Sequence, residues 1–167
     1  AIEEIANGFP KSRIRLLPQI GSFEQVRKYE VAIIAQQGIG IKNHGTVIAE
    51  KISQYIKEVF TGEVLVLELS MDKKNPLTVN LNSDMDFNDK IIVLIDDVAN
   101  SGRTMLYALK PLLQQLPKKI QTLALVERTH KTFPVDVDYV GLSVSTTADE
   151  HIVVEVENGE VLGAWLD

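Results

Sequence analysis

A chain of 167 residues, 45% hydrophobic and 24% charged, has ordinary globular composition and is long enough to bury about two thirds of its unfolded surface. It contains no cysteine, which excludes disulfides and thiolate chemistry, and no apolar run approaches the roughly 20 residues of a membrane span. A net charge of −6 argues against broad, charge-driven nucleic-acid binding, which needs clustered Lys and Arg to displace counterions.

Ala1 to Gly8 carries two glutamates and no apolar centre, so it does not read as a signal peptide. The expectation is one cytoplasmic domain over residues 1–167. Residues 1–30 are cut by Gly8, Pro10, Pro18 and Gly21 into pieces too short to assign. Lys11, Arg13, Arg15, Arg27 and Lys28 make this the most basic stretch, which reads as a solvated arm or lid.

Val31–Ala35 reads as a buried strand and Gln36–Gly45 as a loop with three glycines. Ile48, Ile52, Tyr55, Ile56 and Val59 then follow at helical spacing, with Gly62 closing the helix. Glu63–Leu69 is the next strand. In the polar stretch 70–89, Leu77, Val79 and Leu81 alternate with polar residues as a short exposed strand does. Asp84, Asp86 and Asn88 imitate the start of a calcium loop, but Asp89 replaces the required Gly and Ile95 the closing Glu. Calcium is excluded.

Ile91–Ile95 reads as a strand buried on both faces, with Asp96 and Asp97 at its carboxyl end. A polar turn, Asn100-Ser101-Gly102, precedes helical spacing from Thr104 through Leu106, Leu109, Leu113 and Leu116, which Pro111 kinks or restarts and Pro117 ends. Ile120–Glu127 is a further strand, Arg128–Pro134 a loop, and Tyr139–Leu142 a short strand. Asn158-Gly159, between Ile152–Glu157 and Glu160–Trp165, signals a hairpin. The alternation of strands and helices predicts an α/β fold: a mainly parallel twisted sheet flanked by helices, with a C-terminal antiparallel hairpin. Val153, Val161 and Trp165 would suit a subunit contact.

Ligands of open α/β sheets sit outside the carboxyl ends of strands. Small residues after Asp97 let backbone N–H groups converge at a helix start, which suits phosphate, and Ser101 and Thr104 add hydroxyls. Two carboxylates before such a cradle suit the vicinal hydroxyls of a ribose, or Mg²⁺ carried by a phosphate ligand. Gly38-Ile-Gly40 opens like a dinucleotide fingerprint, but position 43 is Asn, and no Gly-Lys-Ser/Thr makes a P-loop. A backbone-rich loop with Lys42 and His44 remains, suited to a second anionic group. No pair among His44, His130 and His151 has metal-ligand spacing.

Val93-Leu-Ile-Asp-Asp-Val-Ala-Asn-Ser-Gly-Arg-Thr104 resembles the phosphoribosyl-pyrophosphate signature of type I phosphoribosyltransferases. Within that family Leu123-Ala-Leu-Val-Glu-Arg-Thr-His130, Pro134, Asp138-Tyr-Val-Gly141 and Ser145-Thr-Thr147 look most like the bifunctional pyrimidine-operon attenuator/uracil phosphoribosyltransferases. Gly40-Ile-Lys-Asn-His-Gly45 resembles their pyrophosphate loop, which commonly ends Arg-Gly; their mobile loop carries Tyr-Arg where this chain has Met71-Asp-Lys-Lys74.

The resemblance implies transfer of a phosphoribosyl group from phosphoribosyl pyrophosphate to a nucleobase, uracil favoured over a purine, in a Mg²⁺-dependent homodimer or larger homo-oligomer. Asp96 and Asp97 would hold the ribose hydroxyls with Mg²⁺ nearby and no direct protein metal site, and Lys73 and Lys74 would lie in the mobile loop (residues 70–75) over the reacting centre. Ala99, Asn100, Ser101, Gly102, Arg103 and Thr104 would cradle the 5′-phosphate, Ile41, Lys42, Asn43 and His44 would bind pyrophosphate through a strained loop, and Arg128, Thr129 and His130, with 145–147, would shape the base pocket. The alternative is a nucleotide-sensing RNA-binding regulator with weak or no catalysis, its basic surface supplied by residues 11–15, Arg27, Lys28, Arg128 and Lys131.

Overall fold

A computed structural model describes residues 14–17, 37–59, 61–147 and 150–167. The described residues form strands β1 (Ile14–Leu17), β2 (Gln37–Ile41), β3 (Leu65–Met71), β4 (Val79–Leu81), β5 (Ile91–Ala99), β6 (Lys119–Arg128), β7 (Tyr139–Val144), β8 (Ile152–Glu157) and β9 (Glu160–Leu166). Helix α1 (His44–Val59) follows β2, and the short α2 (Arg103–Ala108) follows β5. Six strands make one sheet in the order β4-β3-β2-β5-β6-β7, parallel except for β4 against β3. The C-terminal hairpin forms a second, antiparallel sheet in the order β1-β9-β8.

Strand β5 lies at the centre of the packing. Its Val93 and Ile95 meet Ile48 and Ile52 of α1 and Val154, Val161 and Ala164 of the hairpin on one face. Its Ile92 and Leu94 meet Phe87, Met105, Ala108 and Leu112 on the other. A strand covered on both sides has no polar face to alternate with, hence the unbroken aliphatic run. Lys51 of α1 pairs with Glu160, fastening the helix to the hairpin.

Several expectations need correction. The stretch read as a glycine loop is the strand β2; Val31–Ala35 lies outside the described residues. Ile39 and Ile41 are buried there, and a Cβ on Gly40 would stand 2.4 Å from Thr46 Cα. Glycine serves close packing of the strand on the helix start, not a turn. Strand β3 begins two residues later than read, and Gly62 stands beyond α1 without a left-handed φ. Helix α2 stops at Ala108 and Pro111 leads into a 3₁₀ turn (Leu112–Gln114), so the buried set is Met105, Ala108 and Leu112 while Leu113 and Leu116 are exposed.

The segment read as a solvated arm contributes β1, paired with β9; the rest of it lies outside the described residues. Val161 and Trp165 are buried within the chain, and the indole N–H donates to Glu155, so neither is free for a subunit contact. The hairpin is as expected, with Asn158 and Gly159 at φ 51 and 77. No helix among the described residues is long and apolar enough to cross a membrane.

Candidate active site

The strands flanking β2 are β3 and β5, and the helices after β2 and β5 cover opposite faces of the sheet. The carboxyl ends of β2 and β5 therefore border a switch point, where the diverging connections leave a crevice. Asp96 and Asp97 stand there, near the carboxyl end of β5.

A close approach brings α1 to them. A Cβ on Gly45 would lie 2.7 Å from Ile95 O, so only glycine lets the helix start against the end of β5. His44, the first residue of α1, then places Nδ1 2.9 Å from Asp97 Oδ2. The preceding Asn43 is held at φ 75, the strained point of this loop. Ile41 is buried in the sheet, whereas Lys42 is exposed and donates its backbone N–H to Leu69 O.

From the β3–β4 connection, Lys73 puts Nζ 3.7 Å from Asp96 Oδ1 and 3.7 Å from Asp97 Oδ1. These are ion pairs too long for direct hydrogen bonds. Lys74 is exposed, its backbone N–H closing a turn on Asp72.

The two carboxylates differ in setting. Asp96 is 1% exposed; its Oδ1 accepts the Asp97 N–H, and its Oδ2 is buried with no partner. Burial pushes the Asp96 pKa well above the carboxylate range, and the neighbouring Asp97 charge adds to this while Lys73 opposes it. Burial acts upward on Asp97 too, but hydrogen bonding from Asp96, the Lys73 charge and His44 together hold it below the usual range. The pair favours one proton on Asp96 and a charge on Asp97.

After β5 the chain turns sharply. Gly102 sits at φ 81 as the cap of α2, and a Cβ there would meet Phe133 O at 3.2 Å. Ser101 Oγ accepts the Arg103 N–H, and Ser101 O accepts from Thr132 and Phe133, so the turn is clamped from outside. The Arg103 guanidinium stacks 5.9 Å from the Tyr107 ring, along the helix surface. A cleft of about 260 Å³ is lined by Lys73, both aspartates, residues 98–102, Thr104 and Met105, and by Ile152 of β8. Ile152 carried no polar or spacing signal that could have marked it.

Thr129 and His130 are exposed, and Thr129 N–H bonds Val144 O. Arg128 instead turns inward, to Asn100 and to the segment before β8. Glu127, not singled out from sequence, accepts from Lys131 and from Ser143 Oγ.

A buried carboxylate pair, a clamped turn and a loop lysine thus share one open cleft. The phosphoribosyl transferase domain matches residues 38–158, and the chain belongs to that family: it is a phosphoribosyltransferase. Among its relatives is the bifunctional protein PyrR of Alkaliphilus metalliredigens, 32% identical over 129 residues, which cover 71% of this chain and 70% of that protein. The bifunctional protein PyrR of Bacillus cereus is 33% identical over 131 residues, 71% and 73% of the two chains. Solved structures share the fold at lower identity. A purine phosphoribosyltransferase from Pyrococcus horikoshii aligns with TM-score 0.57 and 20% identity over 73% of this chain and 76% of that one. The hypoxanthine phosphoribosyltransferase of Trypanosoma cruzi aligns with TM-score 0.62 and 11% identity over 76% and 74%.

Proposed function

We propose that this phosphoribosyltransferase joins a nucleobase to phosphoribosyl pyrophosphate, uracil being the favoured base, and releases pyrophosphate and a nucleoside 5′-monophosphate. The bond from the ribose C1 to the diphosphate oxygen breaks, a bond from C1 to a ring nitrogen forms, and the base gives up the proton of that nitrogen. The observation that carries the reading is that the carboxylate pair, the clamped turn and Lys73 line one cleft.

In this reading the turn 99–104 cradles the 5′-phosphate and Asp97, held charged, accepts from the ribose hydroxyls. His44, with Lys42 and Asn43 before it and Ile41 buried behind them, faces the pyrophosphate, and Lys73, with Lys74 beside it, draws toward the same leaving group. Positive charge develops on the ribose ring as pyrophosphate departs, so placement and electrostatics supply the acceleration, with no covalent intermediate needed. Thr129, His130 and residues 145–147 border the base.

Mg²⁺ fits this donor set as an ion brought by the substrate. Among the described residues no three His, Asp or Glu side chains are grouped to hold a metal, whereas two carboxylates, one with a buried unpartnered oxygen, line the cleft. The charged Asp97, with Asp96 beside it, would lie near the ion with no direct protein site, and the ion would neutralise the diphosphate.

Uracil rests on the likeness of residues 123–147 to the attenuator/uracil group. The purine alternative draws on the solved neighbours, which are named for purines. For the expected homo-oligomer, Leu77, Leu113 and Leu116 are large apolar side chains left exposed. Pyrophosphate release from phosphoribosyl pyrophosphate and Mg²⁺ over uracil, hypoxanthine, guanine and adenine tests the assignment. The highest kcat/KM should fall on uracil; a purine in first place moves the assignment, and no release with any base overturns it. RNA affinity measured across salt decides the regulator reading, which absence of salt-dependent binding would eliminate.

A further inference from the structure

The geometry points to Arg128 as a positioning residue that ties the two ends of the cleft into one unit, an inference that rests on the reading just given. Arg128 ends β6, and its guanidinium offers five N–H donors in a rigid plane. Nη1 donates to Asn100 Oδ1 at 3.0 Å, in the turn assigned to the sugar phosphate. The opposite edge serves the segment between β7 and β8: Nε donates to Thr146 Oγ1, and Nη2 to Thr147 O and, at 2.7 Å, to Glu150 O. Glu150 closes that segment on itself, accepting from the Thr147 N–H at 2.6 Å and its hydroxyl at 2.9 Å.

The segment leads directly into Ile152, which lines the same cleft as Asn100. One side chain thus holds Asn100, 28 positions before it, together with Thr146, Thr147 and Glu150, which lie 18, 19 and 22 positions after it. Four of its five N–H donors are used inside the protein, which leaves a single Nη1 N–H for any ligand. Its work is to fix the phosphate turn relative to the base-side segment, so that a ligand seated at one end finds the other end in place.

The test uses Arg128→Gln, Arg128→Lys, Asn100→Ala and Thr146→Ala in the full chain. It is read by amide hydrogen exchange over residues 98–104 and 144–152 without ligand, and by kinetics with phosphoribosyl pyrophosphate and uracil. Asn100→Ala should quicken exchange in the distant 144–152 segment as well as around itself, and Thr146→Ala should do the converse. Arg128→Gln should quicken both and raise both KM values about tenfold, the weight of hydrogen bonds to a charged group, with kcat changed by less than about threefold. Lysine keeps the charge but cannot span both edges, so Arg128→Lys should behave as Arg128→Gln.

Exchange confined to the mutated side in both alanine variants, or full rescue by lysine, overturns the inference. Exchange is measured without substrate, so a chain that makes no nucleotide with any base refutes the functional reading while the tie is still decided. If Arg128→Gln loosens β5 and β6 globally, the two alanine variants decide between the outcomes.

Discussion

Asp96→Asn separates what the buried carboxylate costs from what it does. Asp96 is 1% exposed, Oδ1 accepts the Asp97 N–H, and Oδ2 has no partner. Asparagine fills the same space without charge. Burial raises the Asp96 pKa on folding, and a raised pKa contributes stability that is complete below the unfolded-state value and lost as pH rises through the folded one. The native chain should therefore lose stability relative to the variant as pH climbs from the ordinary carboxylate range upward. Between the unfolded-state and folded-state values each pH unit removes about 1.4 kcal/mol from the native chain, and in a chain of this length each kcal/mol moves Tm by about 2–4 °C. The variant should gain roughly 3–5 °C on the native chain for each pH unit above the ordinary carboxylate range while Asp96 keeps its proton, with the gap closing near pH 4. Circular dichroism melts across pH read the stability, and pyrophosphate release in the same samples should fall by about 100-fold. A variant that melts lower at pH 8, or a gap that does not change with pH, would refute burial as the main influence on the Asp96 carboxyl.

Asp97→Asn should keep the fold, because the amide oxygen can still accept the Val98 N–H, while turnover drops by about 10²–10³ with the charge facing His44 and Lys73 gone. Near-native turnover with an unchanged melt would remove Asp97 from the mechanism. Two glycines of β2 should part company: Gly40→Ala meets Thr46 Cα at 2.4 Å and should lose about 3 kcal/mol or fail to fold. Gly38→Ala finds its nearest atom at 3.7 Å and should cost nothing, or gain about 0.4–1 kcal/mol from a stiffer unfolded chain. Urea unfolding compares them, and equal effects would mean that β2 does not pack on α1 as described.

The legible parts of the chain were those in which neighbours in sequence are neighbours in space. The run Ile91–Ile95, the aspartates and the turn to Gly102 form one strand, its end and a cap, so their order spells the site. Asn158-Gly159 names its own turn. Strand β2 was illegible because Gly40 answers to a helix start on the far side of the bend, a tertiary demand that looks like a loop signal locally. The α2 stripe was misplaced for a similar reason: after Ala108 the period tightens into a 3₁₀ turn, and a count at 3.6 residues per turn drifts from Leu112 to Leu113.

The contacts that finish the site come from afar. Asp97 meets His44 across 53 positions of sequence, and both aspartates meet Lys73 from the other side of β3. His44 and Lys73 occupy two of the loops in which this chain departs from the attenuator group, and both converge on one carboxylate pair. The departures are therefore not independent. Arginine keeps its charge at any working pH and forks onto a carboxylate; histidine and lysine do neither in the same way. In this chain the groups facing Asp97 are a histidine at a helix start and a lysine from the β3–β4 connection. On the proposed reading, the place of the β3–β4 connection and the setting of Asp97 are linked through the charge of Lys73.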